Sequence, residues 1–205
     1  ARIEGNHISG RSGTFTRGVA LGGTATYVAG NHIDGGCGRN EAVGLHATGS
    51  SARVESNVIT GCLCDVASGT DCYGVLSILV GGAEIDLHSN TLHAGGLVAP
   101  FGCWSRALAM TVDPTGPSPG PSGIVRNNVL DAGGCPARYA VEEQVSLADP
   151  RIFENNDLWS AVPPTALYRD ENLTNLIDIA AVNALTDMMV GANFSADPML
   201  DGTEH

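Results

Sequence analysis

Val54-Glu55-Ser56-Asn57-Val58-Ile59 is one copy of the six-residue pattern that decides the fold. An apolar residue, any residue, a small or polar residue, Asn, any residue and an aliphatic residue follow in that order. The pattern also reads Ile3-Glu4-Gly5-Asn6-His7-Ile8, Val28-Ala29-Gly30-Asn31-His32-Ile33, Leu87-His88-Ser89-Asn90-Thr91-Leu92, Val125-Arg126-Asn127-Asn128-Val129-Leu130 and Phe153-Glu154-Asn155-Asn156-Asp157-Leu158. The Asn-to-Asn spacings are 25, 26, 33, 38 and 28 residues. A fixed layout at such a period marks a stacked repeat whose longer copies carry insertions in loops on one face.

Each copy has a second apolar stretch upstream of its Asn: Val19 and Leu21, Val43 and Leu45, Val75 to Val80, Leu108 to Val112, Tyr139 to Val141. Side chains alternate in and out along a strand. The residues two before each Asn, Glu4, Ala29, Glu55, His88, Arg126 and Glu154, therefore form an outward column. Asn tolerates left-handed backbone at a sharp corner and bonds nearby backbone groups. Stacked corners then predict a ladder of Asn6, Asn31, Asn57, Asn90, Asn128 and Asn156, whose amides satisfy one another. The expected fold is all-β: a right-handed parallel β-helix, a single-stranded solenoid of about six coils over residues 1–160. Residues 161–205 form a capping segment that covers strand edges. Within it, Asn172 to Leu185 has the spacing of a short helix, and Asp197-Pro198-Met199-Leu200 returns to strand.

Glycines follow each corner (Gly10, Gly35-Gly36, Gly61, Gly95-Gly96, Gly133-Gly134), and Cys37, Cys62, Cys64, Cys72, Cys103 and Cys135 fall in that loop family. Stacking gathers them on one side, where bridges within and between coils are feasible. An even Cys count in such a chain favours disulfides and an oxidising compartment over zinc, since Cys62-x-Cys64 is not a two-residue knuckle. Pairing is left open among fifteen connectivities. The run Asp113-Pro114-Thr115-Gly116-Pro117-Ser118-Pro119-Gly120-Pro121 reads as an exposed loop.

The chain carries 10 Arg and no Lys against 22 Asp and Glu, a net charge of −12. Phosphate backbones are repelled, so nucleic acid is not an expected partner, and polyuronates are disfavoured. No apolar run reaches the length of a membrane span. Ala1-Arg2-Ile3-Glu4 reads as strand rather than as a leader.

These repeats resemble the pectate-lyase-like right-handed parallel β-helix superfamily and, more narrowly, secreted bacterial β-helix surface proteins with an Asn-x-Ile-x-Gly repeat. The closing run Ile179-Ala180-Ala181-Val182-Asn183-Ala184-Leu185 with Ser195-Ala196-Asp197-Pro198 is similar to the C-terminal part of such proteins. The resemblance implies an extracellular, cell-surface or periplasmic location. It spans lyases, hydrolases, epimerases, adhesins and stalks, and no lyase or hydrolase motif matches residue by residue. The expectation is a non-catalytic secreted or surface module, structural or binding a polysaccharide or other cell-surface component. The alternative is a polysaccharide lyase or glycoside hydrolase.

If the chain is an enzyme, Glu55, Glu142 and Glu143 are the candidate catalytic carboxylates. Glu55 lies two coils from Glu4, a separation compatible with a glycosidase pair. Glu142-Glu143 breaks alternation, as a strand end or bulge does. No cofactor and no metal ligand set is expected. Calcium is the ion considered, through Asp34, Asp86 and Asp131, although no calcium-loop spacing occurs. His7 and His32 take equivalent places on adjacent coils and read as surface histidines, with a metal-binding pair as the minor alternative; His46, His88 and His93, on or beside strands, read as surface histidines too. Trp104, Trp159, Tyr27 and Tyr139 are candidates for a sugar-stacking platform or for covers over exposed core. The sequons at Asn172 and Asn193 carry no weight in this reading.

Overall fold

A computed structural model describes residues 1–23, 25–49, 51–65, 70–79, 84–97, 102–113, 123–171 and 174–199, with backbone only for 63–65 and 96–97. Six coils of three strands follow one another. They are β1 (Arg2–Glu4), β2 (His7–Ser9) and β3 (Gly13–Gly22); β4 (Thr26–Ala29), β5 (His32–Asp34) and β6 (Gly38–Thr48); β7 (Ala52–Glu55), β8 (Val58–Asp65) and β9 (Asp71–Leu79). The next three are β10 (Ile85–His88), β11 (Thr91–Leu97) and β12 (Trp104–Val112); β13 (Ile124–Arg126), β14 (Val129–Asp131) and β15 (Ala137–Glu143); β16 (Ile152–Glu154), β17 (Asp157–Trp159) and β18 (Ala166–Asp170). First, second and third strands each stack in parallel on their counterparts, giving three sheets. This is the parallel β-helix that the repeat predicts.

Three largely aliphatic columns, closed by Phe153 and Tyr168 in the sixth coil, fill the interior. The first sheet contributes Ile3, Val28, Val54, Leu87, Val125 and Phe153 in register. The second contributes Ile8, Ile33, Ile59, Leu92, Leu130 and Leu158. Val19, Leu45, Val75, Leu108, Val141 and Tyr168 come from the third. Burying each such side chain contributes about 1.5–3 kcal/mol.

The Asn ladder forms along the first corner and runs longer than the pattern suggests. Asn57 Nδ2 donates to Asn90 Oδ1 and to the Val28 and Glu55 carbonyls, while its Oδ1 accepts from the backbone N–H and the Nδ2 of Asn31. The same bonds link Asn6 to Asn31, Asn90 to Asn128 and Asn128 to Asn156. Asn156 then donates to Asn193, and Asn193 to Asn183. The left-handed backbone at the corner belongs not to Asn but to the residue before it: Gly5, Gly30, Ser56, Ser89, Asn127, Asn155 and Ala192 have φ between 53° and 64°. Asn is held instead by its amide.

The third-sheet strands bend. Their pairing skips Gly18, Gly44, Gly74, Ala107 and Ala140, each next to an inward aliphatic. A Cβ on Gly44 would stand 2.5 Å from Ile59 Cγ2 and 2.7 Å from the Thr60 carbonyl oxygen, so two consecutive residues face inward and the first must be small. Val43 and Leu45 consequently do not share a face. Leu45 aligns with Val19 inside, and Val43 with Arg17 outside.

The boundary expected at residue 160 falls inside a coil, because β18 pairs with β15 and closes the sixth turn. Beyond it, β19 (Thr174–Leu176) pairs antiparallel with β18 and ends that sheet. The helix expected over 172–185 is a single turn, α1 (Ile179–Val182), capped by the Asp178 side chain on the Ala181 N–H. The strand that follows is β20 (Met189–Gly191), paired with β16, and not Asp197 to Met199. Leu200 and the loop 114–121 lie outside the described residues.

Cys62 bridges Cys72 within one coil, and Cys103 bridges Cys135 between coils, each at a Cα separation of 5.4 Å. The four sulfur-bearing residues form one buried cluster with Ala42. Cys37 is also disulfide-bonded, and the Cys64 side chain lies outside the described residues. Among the described residues no helix is long and apolar enough to cross a membrane.

Candidate functional site

The bend brings outer side chains of the third sheet together. With Gly74 and Val75 both inward, Tyr73 and Leu76 both face outward, as do Arg106 with Ala109 and Tyr139 with Glu142. Val43, Tyr73, Leu76 and Ala109 pack against one another there, and Val43 and Ala109 are fully buried although they lie outside the main core.

Arg106 is the hub of this face. Its side chain is 3% exposed; Nε donates to Glu142, and Nη1 donates to Asp71 Oδ1 at 2.9 Å. The guanidinium lies 5.0 Å from the ring centroids of both Tyr73 and Trp104, within cation–π range. Glu142 also accepts from Arg169 at 2.9 Å and from Gln144 at 3.2 Å. Arg169 in turn sits 5.4 Å over Tyr139. Three coils before Arg106, Arg17 donates to Glu41 and to His46 Nδ1, each at 2.9 Å. Three arginines thus match three carboxylates, a charge-balanced patch in a strongly acidic chain.

Burial pushes the Tyr73 hydroxyl up to about 12, so it remains a neutral hydrogen-bonding group. Burial first, and Arg17 second, hold His46 below the usual imidazole value. Its Nδ1 accepts from Arg17, which leaves the ring proton on Nε2, 3.3 Å from the Thr48 hydroxyl. The solvent edge is aromatic: Phe15 and Trp104 are 59% and 46% exposed. They stand in one column with Glu41 and Asp71 between them. At the roughly 4.8 Å spacing of stacked strands, that places the two rings about 14 Å apart.

The three carboxylates singled out from the sequence do not meet. Glu142 lies on this outer face. Glu143, one residue on, points into the core, fully buried, and accepts from the Tyr168 hydroxyl. Burial first, then the Asp149 and Asp170 charges, push it up to about 9. Glu55 belongs to the first sheet, in the outward column read from the sequence, where Glu4, Ala29, Glu55, His88, Arg126 and Glu154 stand in register. The Tyr27 hydroxyl and Arg53 hold Glu55 below the ordinary carboxylate range. The aromatic candidates divide too: Tyr27 is on the first sheet and Trp159 on the second, leaving Trp104 and Tyr139 on the third. Tyr73, Asp71 and Arg106, which the linear sequence did not mark, complete the cluster.

The calcium candidates do not converge. Asp86 is on the first sheet and accepts from the Ile124 N–H, while Asp34 and Asp131 are three coils apart on the second. Among the described residues, three other carboxylates do converge, Asp149, Glu171 and Asp187, with oxygens within 4.8 Å of one another. Burial, and then the charges of Asp187, Glu171 and Asp170, raise Asp149 to about 6.

Glycosidic hydrolysis needs one carboxyl kept protonated and a second free to act. On the third-sheet face Glu41, Asp71 and Glu142 are each engaged by an arginine. The carboxyls that burial raises, Glu143, Asp149, Asp157 and Asp170, lie off that face. The arrangement offers flat apolar rings beside fixed, charge-assisted acceptors, which suits binding. No family model matches the chain, and no curated protein or solved structure matches it either.

Proposed function

We propose that this chain is a non-catalytic, glycan-binding β-helix module, secreted or displayed on a cell surface, of the pectate-lyase-like kind. The observation that carries the reading is the outer face of the third sheet, where exposed Trp104 lies over Arg106 with Asp71 alongside. Aromatic faces stack on the apolar side of a sugar ring, and ion-paired carboxylates accept from its hydroxyls without reorganising. Local charge balance together with a net charge of −12 selects neutral over acidic polysaccharide. A chain of sugar rings lying along the solenoid axis would reach from Trp104 to Phe15. Disulfides and the resemblance support the extracellular assignment. The proposal includes no cofactor; calcium is tested by running the assay with and without it.

The second reading, a polysaccharide lyase or hydrolase, has one point in its favour: Glu142 and Asp71 converge on Arg106. A glycan array followed by titration of soluble neutral glycans separates the two. Binding without product formation, weakened at least tenfold in Trp104→Ala, supports the module. Cleavage that disappears in Glu142→Gln transfers the conclusion to the enzyme, and absence of any glycan binding overturns both.

A further inference from the structure

On the second sheet, a different face holds a group of side chains that the proposed function does not use. His7 and His32 are stacked, ring centroids 4.7 Å apart and planes 8° from parallel. Both turn Nε2 towards one carboxylate. His7 Nε2 lies 3.1 Å from Asp34 Oδ2, and His32 Nε2 lies 3.3 Å from Asp34 Oδ1. The three donor atoms all fall within 4.8 Å of one another. Register explains the convergence: His7 and His32 are directly paired, Asp34 follows two residues after His32, and Ile33 between them points inward.

Hydrogen bonding accounts for only half of this geometry, the 3.1 Å bond between His7 Nε2 and Asp34 Oδ2. Asp131 stands in the same column three coils on, and both of its oxygens are used, Oδ2 by His93 at 2.7 Å and Oδ1 by the Gly133 N–H at 3.0 Å. Asp34 differs. Its side chain is only 8% exposed, yet Oδ1 has no hydrogen bond, since the approach of His32 lacks hydrogen-bond geometry. A buried carboxylate oxygen left without a donor costs stability. Two imidazole nitrogens beside it supply the rest of a ligand set.

We propose that His7, His32 and Asp34 bind a borderline divalent transition-metal ion, Zn2+ being the representative tested. Zinc–nitrogen and zinc–oxygen bonds of about 2.0–2.2 Å at tetrahedral angles put neighbouring donors roughly 3.3 Å apart. The approaches of His7 to Oδ2 and of His32 to Oδ1 lie near that separation, and one imidazole turns out of the stack for both nitrogens to point at a single ion. Three protein ligands leave the fourth position to water or to a ligand atom from outside, because the His7 side chain is 64% exposed and opens the site to solvent. Nitrogen donors in the majority select zinc, nickel or copper over calcium.

The test is calorimetric titration of Zn2+ into the whole chain after chelator treatment, with Co2+ absorption as a second readout. One ion per chain, a Kd in the micromolar range or tighter, and the visible bands of four-coordinate Co2+ are expected. His7→Ala and His32→Ala each weaken binding at least tenfold, and His93→Ala, on the same sheet, leaves it unchanged. His7→Ala remains interpretable even if Asp34→Asn fails to fold, because the His7 side chain is exposed. Absence of binding at 100-fold above micromolar Zn2+, or binding undiminished in His7→Ala and His32→Ala, overturns the assignment.

Discussion

Replacing Glu143 by Gln should make the protein more stable at neutral pH and change little at pH 4. The carboxyl is fully buried at the inner end of β15, and burial pushes it up to about 9 from an ordinary value of 4.5. Glu143 is therefore protonated in the folded protein at pH 7 and ionised in the unfolded chain. For a group raised on folding, the stabilising contribution is fully present below pH 4.5 and is lost progressively as pH climbs towards 9. At pH 7 the loss spans two and a half units at about 1.4 kcal/mol each, roughly 3 kcal/mol. Gln keeps the shape and the acceptor for the Tyr168 hydroxyl and has no proton to lose. Urea unfolding of both proteins between pH 4 and 8 measures the difference. The expected gap opens with pH to about 3 kcal/mol at pH 7, equivalent to a melting shift of roughly 6–12 °C for a chain of this size. A gap that does not change with pH, or a variant less stable than the parent at pH 7, would refute a neutral, buried Glu143.

Two further outcomes follow from the architecture. Asn57→Ala leaves the buried Asn31 N–H without its acceptor and removes the bonds to Asn31 Nδ2, Asn90 Oδ1 and the Val28 and Glu55 carbonyls, and should cost about 3–5 kcal/mol. The same change at exposed Asn6 should cost less than about 1 kcal/mol in urea unfolding, and equal costs would contradict a cooperative ladder. Removing the Cys103–Cys135 bridge, which spans 32 residues, should lower stability by about 4 kcal/mol, against about 3 kcal/mol for Cys62–Cys72, which spans 10. Paired Cys→Ser variants with unaltered unfolding midpoints would refute both.

The corner was legible because one residue type recurs at one place. Six Asn in register, with an outward column two positions earlier, need only strand alternation to interpret. The seventh and eighth rungs were hidden for local reasons. At Val190-Gly191-Ala192-Asn193-Phe194-Ser195 a Ser stands where the pattern wants an aliphatic, and Asn183 closes a helical turn instead of a strand. The third-sheet face was hidden for a topological reason. Asp71, Tyr73, Arg106, Glu142 and Arg169 are spread over nearly a hundred positions, and unequal loops disguise their common level. The bend compounds this, since Gly44 and Leu45 both turn inward and shift every later position of the strand by one. Glu142-Glu143 did show through as a break in alternation. What the linear order could not assign was which of the two faces the core and what surrounds the other.

Every amide-to-amide bond of the Asn ladder runs in the same sense, from the first coil towards the last. The side-chain amides are therefore aligned head to tail, each polarising the next, and the wall carries an electrical direction of its own. Each amide-to-amide link has a donor side and an acceptor side, so the solenoid is not interchangeable end for end. Anything that lengthens it must arrive in the matching orientation.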